Sequence, residues 1–487
     1  MDVVLPPLPS QEEEGGRLSP SWVLLDETAY VSADSVSNST TAVGQMSTGK
    51  SINFSLCLGR PPLLSNLCAH FIGPVFGPTV GTVFGPPAGT PAVRCVRVPP
   101  IVVSTHADLA LLRITIPSAP GINDDSSFDY FVYTARQRPG ASSLDLLPRP
   151  TGSPCFQDSD VAILRCSSGG SRYVIAALKI TGNQLHFRLQ RYDSDTRSWT
   201  MMPLSFHQPE RDRVLPIPDS ATEEVFHNTT KVVVLGSTTV GWANLWRGIL
   251  FCDVLNKNPV LRDMPLPKSA RSNRSSFCVG SPIGQRDITV LTILEEWVKI
   301  KYVDMEFRPG VVPSPQRRQP MDHSGSSSDG EDDFDVADYW TATVWSMPVP
   351  ITSWNDWHKD CTIDVADTIV QNPRHCEVLL ELPTRLSTDP EDAAVSLRRL
   401  CTGYPTLGLG MDGNLAIYFL SKVDDRSPEG WVIEVGVKDN KLHGIAKLDD
   451  RKNRSFRRYY RITDISKYLI RATGAAGALV RTRMRNK

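Results

Sequence analysis

Residues 44–51 read "GQMSTGKS" and match the phosphate-binding loop pattern G-x-x-x-x-G-K-S/T at Gly44, Gly49, Lys50 and Ser51. In such a loop, glycines let backbone N–H groups surround an anion between a buried strand and the start of a helix. The lysine contacts the outer phosphates and the hydroxyl holds magnesium. These residue types at this spacing would bind or hydrolyse a nucleotide.

The flanking residues favour a β-hairpin instead. The preceding stretch "VSNSTTAV" is too polar for a central parallel strand. The following "SINFSLCL" alternates, with Ile52, Phe54, Leu56 and Leu58 on one side, which is typical of a strand and not of a helix. A short pattern also occurs by chance in a long chain. We therefore interpret the match as accidental and predict no cofactor.

Other side chains that could catalyse a reaction or bind a metal lack a recognised arrangement. The sequence contains no G-x-S-x-G elbow, H-E-x-x-H motif or kinase H-R-D signature. Metal-friendly side chains gather at Cys68 with His70, at His375 with Cys376, and at residues 356–361, without zinc-module spacing. The sequence thus assigns no catalytic residue and no metal site.

Composition sets the class of protein. The chain has 487 residues, 40% of them hydrophobic, so it can bury a sizeable core. It carries 52 Lys and Arg against 53 Asp and Glu, a net charge of −1 that attracts neither nucleic acid nor anionic membrane overall. The start has no basic and apolar leader pattern, and no run reaches the ~18 apolar residues of a membrane span. The ten cysteines form no C-x-x-C pair. We expect a soluble intracellular protein with reduced thiols.

A recurring sequence pattern in which a strand ends at a proline, here called the proline cadence, predicts the fold. Apolar strands end in apolar-x-x-Met-Pro at Met202, Met264 and Met347, and related leucine versions occur at 144–148 and 379–383. Spacings of 55 and 62 residues fit blades of about four strands; the next spacing, 83, contains an insertion. The alternative is that prolines simply end unrelated strands.

Strand signals are dense between these markers, at residues 173–180, 231–236, 287–303, 415–423 and 430–437. Helices are predicted over 389–401, with Asp389 as N-cap, and from Asp464 near the C-terminus. The predicted fold is mainly β, a β-propeller-like array of antiparallel sheets with a few short helices and a C-terminal helix. A long sandwich or two β domains is the alternative.

Four tryptophans lie within eighteen residues, at Trp340, Trp345, Trp354 and Trp357. Aromatic side chains at a propeller rim can stack a ligand, but tryptophan also fills the space between neighbouring sheets. We predict that they pack between sheets.

We divide the chain into a disordered N-terminus (1–20), a propeller-like domain (21–470) and a basic tail (471–487). Residues 310–335 form a flexible insertion that becomes acidic, where Ser326 and Ser328 each precede an acid by three residues and are candidate phosphorylation sites. Residues 451–487 carry twelve Lys and Arg against one acid, which suits contact with nucleic acid, nuclear import or pairing with the acidic body.

Several stretches resemble the domain of unknown function 1618 family, which is abundant in grasses. They include "WVLLDETAYV" (22–31), "GWANLWRGILFCDVLNKNPVLRDMPLP" (241–267) and "TATVWSMPV" (341–349). The resemblance is strongest over about 241–380. It implies a plant protein without an established reaction, so it assigns no catalytic residues. The cadence is also similar to that of F-box-associated β-propellers, although no F-box helix bundle is visible in residues 1–60.

The leading functional hypothesis is a non-enzymatic protein–protein interaction module with a protein partner, resident in the cytoplasm, the nucleus or both. The alternatives are a nucleic-acid-associated protein that uses segment 451–487, and an enzyme whose site is assembled from distant loops at the propeller mouth. Steep salt dependence of binding would distinguish the nucleic-acid alternative.

Overall fold

The computed structural model describes residues 20–32, 37–72, 98–116, 128–138, 140–149, 156–166, 170–181, 186–206, 227–267, 281–293, 297–308, 339–351, 353–381, 397–398, 400–423, 427, 429–448 and 460–469. Three predicted segments lie outside these residues: the N-terminus 1–20 (except residue 20), the acidic insertion 310–335 and the tail 471–487.

The described strands form six mainly antiparallel sheets arranged as the blades of a propeller. Blade 1 is built from both ends of the chain: β1 (Val23–Asp26), β2 (Tyr30–Val31), β3 (Ala42–Gln45), β4 (Ser51–Cys57), β5 (Leu64–Ile72) and β27 (Tyr460–Thr463). Blade 2 contains β6 (Ile101–His106), β7 (Leu109–Thr115), β8 (Phe128–Thr134) and β9 (Ser143–Leu146). Blade 3 contains β10 (Val161–Arg165), β11 (Tyr173–Thr181), β12 (His186–Asp193) and β13 (Ser198–Pro203).

The remaining three blades follow in chain order. Blade 4 contains β14 (Ser205–Phe206), β15 (Lys231–Leu235), β16 (Thr239–Asn244), β17 (Gly248–Asp253) and β18 (Val260–Pro265). Blade 5 contains β19 (Arg286–Ile293), β20 (Trp297–Arg308), β21 (Tyr339–Pro348) and β22 (His358–Asp364). Blade 6 contains β23 (Cys401–Leu409), β24 (Leu415–Lys422), β25 (Trp431–Gly436) and β26 (Leu442–Lys447). The predicted mainly β, propeller-like fold is confirmed.

The first and last described strands close the ring. The last strand, β27, pairs antiparallel with β1, from Val23 opposite Thr463 to Asp26 opposite Tyr460, and β1 also pairs parallel with β5. Because the two ends of the described chain share one sheet, blade 1 cannot form until both are in place.

The hydrophobic core is divided into six clusters, one at each interface between neighbouring blades. This arrangement explains the near-continuous apolar strands, because a sheet packed on both faces buries every residue. Tyr418 and Phe419 are adjacent on β24 and fully buried, yet Tyr418 faces blade 1 and Phe419 faces blade 5.

The phosphate-loop pattern lies in the hairpin between β3 and β4, with Gly44 paired to Ile52. The Met46 N–H donates to the Lys50 carbonyl at 2.8 Å, and Gly49 has φ +81°, which suits a residue without a side chain. A Cβ at Gly44 would lie 2.8 Å from the Leu144 side chain of blade 2. Turn geometry and close packing therefore account for both glycines.

The proline cadence does not mark one position in every blade. Met202 and Met264 lie in fourth strands, β13 and β18, whereas Met347 lies in the third strand of blade 5. In the version at 379–383, Leu379 and Leu380 end a helix, α1 (Pro373–Leu380), and residues 382–383 lie outside the described residues. Proline ends a ladder wherever a strand stops, whatever its place in the blade.

The helices differ in part from the prediction. Helix α1 was not predicted, although Asn372 followed by Pro373 is a helix-start signal; the Asn372 side chain caps the Arg374 N–H at 3.0 Å. At Asp464 the structure has a 3-10 turn, Ile465–Tyr468, and Leu469 is extended. Most of the helix predicted over 389–401 lies outside the described residues, and Cys401 already begins β23.

The tryptophan prediction is confirmed where the side chains are described. Trp340 is 1% exposed and packs on Phe419 of blade 6, with ring centroids 4.6 Å apart. Trp357 donates from Nε1 to the Pro265 carbonyl of blade 4 at 2.9 Å, and Trp345 packs in the same interface.

Candidate functional site

The innermost strands of all six blades surround one cavity of about 340 Å³. Its lining comes from β27 and the Glu27 loop in blade 1, and from the first strands β6, β10, β15, β19 and β23 with adjoining loops. A cavity that every blade lines is a product of ring closure, since no single blade could form it.

Two ion pairs at the cavity wall cross from one blade to the next. Lys231 Nζ lies 2.5 Å from Asp287 Oδ1 and joins blade 4 to blade 5. The other Asp287 oxygen accepts a hydrogen bond from the Leu407 N–H of blade 6 at 3.0 Å. Arg113 of blade 2 lies 3.1 Å from Asp158, at the entry to blade 3.

A third pair closes the ring. Arg461 on β27 lies 2.5 Å from the carboxylate of Glu27, which follows β1. Both residues line the cavity, so the strand pairing that joins the two ends of the chain is reinforced at the cavity wall.

The electrostatics of Asp158 show how buried this wall is. Burial raises the pKa of its carboxyl, and Arg113 and the Tyr130 hydroxyl, which donates at 3.1 Å, partly offset that rise. The neighbouring Asp160 has its pKa raised to about 6 by burial. Its backbone carbonyl accepts a hydrogen bond from the Trp242 indole at 2.7 Å.

His227 is 2% exposed beside the blade 4 entry, where its ring lies 3.4 Å from the Thr229 hydroxyl. Burial, with a smaller contribution from the Arg247 charge, lowers the pKa of His227 to about 3. At neutral pH this imidazole is uncharged.

Buried Arg–Asp pairs fix the blades around the cavity. Arg286 is 1% exposed; its Nε lies 2.7 Å from Asp304, and Nη1 donates to the Leu245 carbonyl of blade 4 at 3.1 Å. Arg165 of blade 3 makes two 2.7 Å hydrogen bonds to Asp108 of blade 2. Such bidentate pairs hold their partners in a fixed orientation.

The residues singled out from the sequence lie away from this cavity or outside the described residues. The Gly44–Ser51 hairpin lies at the outer edge of blade 1, whereas the cavity is lined by inner strands. Ser326 and Ser328 are not among the described residues. Of the basic segment 451–487, residues 460–469 are described, and Arg461 alone contributes a charge to the cavity.

The metal-friendly groups do not converge either. Within the described ranges, no three His, Cys, Asp or Glu side chains are placed to hold a metal ion. Cys68 lies against Cys57 at 3.7 Å between their sulfur atoms, and His358 Nε2 lies 3.2 Å from Asp360 Oδ1.

Sequence reasoning missed the residues that line the cavity. Lys231, Asp287 and Arg461 are charges at or next to the start of an inner strand. A charge at the beginning of successive predicted strands is the signal that could have indicated them, but it becomes specific only once the strands are assigned to blades.

The fold and the cavity define a six-bladed β-propeller with an axial cavity. Residues 242–418 match the model of the family described as protein of unknown function (DUF1618), the family that the sequence resembles. The match runs from β16 of blade 4 into β24 of blade 6. No curated protein matches the sequence. None of the described helices has the length and apolarity to cross a membrane.

Solved structures show distant similarity. A protein of unknown function from Dyadobacter fermentans is 11% identical with a TM-score of 0.32, covering 82% of this chain and 94% of its own. An endo-arabinase from Bacteroides thetaiotaomicron is 9% identical with a TM-score of 0.24, covering 69% and 92%. A xylan beta-1,4-xylosidase from Bacillus halodurans is 8% identical with a TM-score of 0.24, covering 77% and 57%. At these TM-scores the similarities carry no argument about activity.

Proposed function

We propose that this protein is a non-enzymatic interaction module that binds a segment of another protein at the mouth of the axial cavity. The observation that carries the proposal is the cavity wall itself, to which all six blades contribute. Its charged groups are already joined in ion pairs, two of them across blade boundaries. A preformed opening with fixed polar groups and apolar walls suits recognition of a partner without large rearrangement.

The resemblance to the domain of unknown function 1618 family supports the proposal that this module is a grass protein with no assigned reaction. We extend membership of that family from residues 242–418 to the propeller as a whole, because the matched segment is continuous with the ring. Residence in the cytoplasm or nucleus is part of the same proposal.

The test is co-purification of tagged full-length protein from grass tissue, with and without nuclease. Ser159 lines the cavity, so Ser159→Trp places a bulky side chain in it, and Ser159→Ala is the matched control. We expect a stoichiometric protein that survives nuclease and is retained by Ser159→Ala but lost with Ser159→Trp. A partner that Ser159→Trp still retains would contradict binding at this cavity.

The described part of the basic segment gives the nucleic-acid alternative no specific support. Both cations of residues 460–469 pair with carboxylates, Arg461 with Glu27 and Lys467 with Asp464 at 3.4 Å. Recovery of nucleic acid alone, lost on truncation at residue 450, would replace the interaction proposal with this alternative.

A further inference from the structure

A second pocket, of about 410 Å³, lies between blade 6, helix α1 and the Pro61–Pro62 loop of blade 1. It shares no lining residue with the axial cavity. The turn between β23 and β24 supplies Met411 and Asp412, β25 supplies Glu434, and β26 supplies Leu442 and His443.

Glu434 is a buried carboxyl that faces this pocket. The residue is 3% exposed, and in the described part of the chain its carboxyl forms no ion pair. Two glycines let the backbone approach this carboxyl closely: Oε1 lies 3.0 Å from where a Cβ at Gly410 would be, and Oε2 lies 3.3 Å from the same position at Gly444. A buried carboxylate without a cation is costly, so a ligand that supplies the cation gains binding free energy.

Asp412 places a second carboxyl beside the first. Its Oδ1 lies 2.8 Å from the Cβ position of Gly410, so both acids pack against this glycine and lie close to each other. Asn414 donates to Asp412 from its backbone N–H at 2.9 Å and from Nδ2 at 2.6 Å. These hydrogen bonds hold the pKa of Asp412 below its ordinary value, so this group stays anionic at neutral pH.

Among the described residues, no basic side chain around the pocket forms an ion pair with Asp412 or Glu434. Lys441 Nζ donates to Gln371 at 3.1 Å, and His443 Nε2 lies 3.0 Å from Asp439. His375 has its pKa lowered mainly by burial, and its Nδ1 is buried without a hydrogen-bond partner. The pocket therefore presents two carboxyls that have no ion-pair partner among the described residues.

The remaining lining is apolar. Pro61, Pro62 and Leu442 form part of the wall, and Met411 is 49% exposed at the edge. A long cationic side chain combines an aliphatic stem with a terminal charge, and this lining suits both parts. Its charged group would lie between the two acids and its stem along the apolar wall.

We propose that this pocket binds a guanidinium or primary ammonium group, held between Asp412 and Glu434 with its carbon stem along Pro62 and Met411. The ligand is either a free small cation or a basic side chain of a partner protein. The site is independent of the interaction proposed at the axial cavity.

Binding is coupled to proton release. Burial, with a further contribution from the Asp412 charge, raises the pKa of Glu434 to about 7, while the Tyr418 hydroxyl and His443 act in the opposite direction. With that pKa, roughly a tenth of Glu434 is ionised at pH 6 and about nine-tenths at pH 8. Because the cation binds the ionised form, affinity should rise about tenfold from pH 6 to pH 8.

Calorimetric titration of the full-length protein tests this coupling. The probe is Nα-acetylarginine methylamide, and its citrulline counterpart is the uncharged control of similar shape. We expect binding of the arginine compound only, with affinity rising about tenfold from pH 6 to pH 8. Equal binding of both compounds, or no binding of either, would overturn the proposal.

Two variants separate the site from the fold. Glu434→Gln should weaken binding and remove its pH dependence, because the amide resembles the protonated carboxyl. Gly410→Ala places a Cβ 2.8 Å from Asp412 Oδ1 and 3.0 Å from Glu434 Oε1, so it should displace the acids and also weaken binding. Gly284→Ala, whose Cβ meets nothing within 4 Å, is the matched control. Unchanged affinity and pH dependence in Glu434→Gln would refute the assignment.

A final titration identifies the source of the cation. A nine-residue peptide with one central arginine is compared with the free compound. Tighter binding of the peptide assigns a partner's side chain, and weaker binding assigns a free small cation. In either case the ligand should bind the Glu434→Gln variant more weakly than wild type. Equal affinity for the variant and wild type would count against binding in this pocket.

Discussion

Replacing Glu434 with glutamine should stabilise the unliganded protein in a pH-dependent way. The carboxyl is 3% exposed, and its pKa is raised from 4.5 to about 7, first by burial. Below pH 4.5 the group is protonated in both the folded and the unfolded state, so it costs nothing. Between pH 4.5 and about 7 the unfolded chain ionises this carboxyl while the folded protein keeps it protonated, so stability falls across this range. Above pH 7 the folded protein also carries the charge, buried, and the loss of stability levels off.

The magnitude follows from the difference in pKa between the two states. At 1.36 kcal/mol per unit, the ionised carboxylate costs about 3 kcal/mol of unfolding free energy at pH 8 and above. For a chain of 487 residues, an unfolding entropy near 1 kcal/mol/K converts this into roughly 3 °C in Tm. Glutamine has the shape of the protonated carboxyl and carries no charge to bury.

The assay is a thermal melt of wild type and Glu434→Gln between pH 4.5 and pH 9. The two Tm values should coincide at pH 4.5, and the variant should melt about 3 °C higher at pH 9. Glu306 on β20 is exposed, so Glu306→Gln is the control, and its Tm should equal that of wild type at every pH. A Tm difference that does not change with pH would refute the reasoning, since it would show that the charge of Glu434 is not what matters.

Three further results follow from contacts elsewhere in the ring. Trp340→Ala should lower the unfolding free energy by about 3–5 kcal/mol in a urea titration, because it leaves a cavity between blades 5 and 6. Arg286→Ala should cost about 3–5 kcal/mol because Asp304 stays buried without its partner. The exposed Arg172→Ala should cost about 0–1 kcal/mol, and equal losses in the two arginine variants would contradict the role of burial. Magnesium-ATP should leave the Tm unchanged, and a shift abolished by Lys50→Ala would show that the loop motif binds nucleotide.

Local strand signals in the sequence were sufficient for the class of fold. Residues 173–180, 231–236, 415–423 and 430–437 each contain a strand of the structure. The stretch 287–303 contains parts of two strands, β19 and β20, and its apolar continuity conceals the break between them. β-branched and aromatic runs indicate where strands lie, because sheets packed on both faces need them.

The repeat cadence shows where local patterns fail. Met264 and Met347 share the interface between blades 4 and 5, but one lies in a fourth strand and the other in a third. Both end next to a proline because each strand stops there. Blade assignment depends on which strands pair, and pairing joins residues far apart in the chain.

Helix α1 and Asp464 show the same limit in helical segments. Asn372 and Pro373 carry a start signal, but the helix spans eight residues, too short for a clear apolar period. At Asp464, burial of Ile465 and Leu469 in the interface between blades 1 and 2 accompanies a single 3-10 turn. Tertiary packing decided both outcomes.

The sequence alone determined a mainly β, propeller-like protein, because alternation, β-branched runs and turn residues act between neighbours in the chain. Only the tertiary structure decided the six blades, their closure through β1 and β27, and both pockets. Glu27 pairs with Arg461 across 434 positions, and Asp412 and Glu434 both pack against Gly410. Such contacts depend on ring closure and burial, which bring together charges that no local pattern relates.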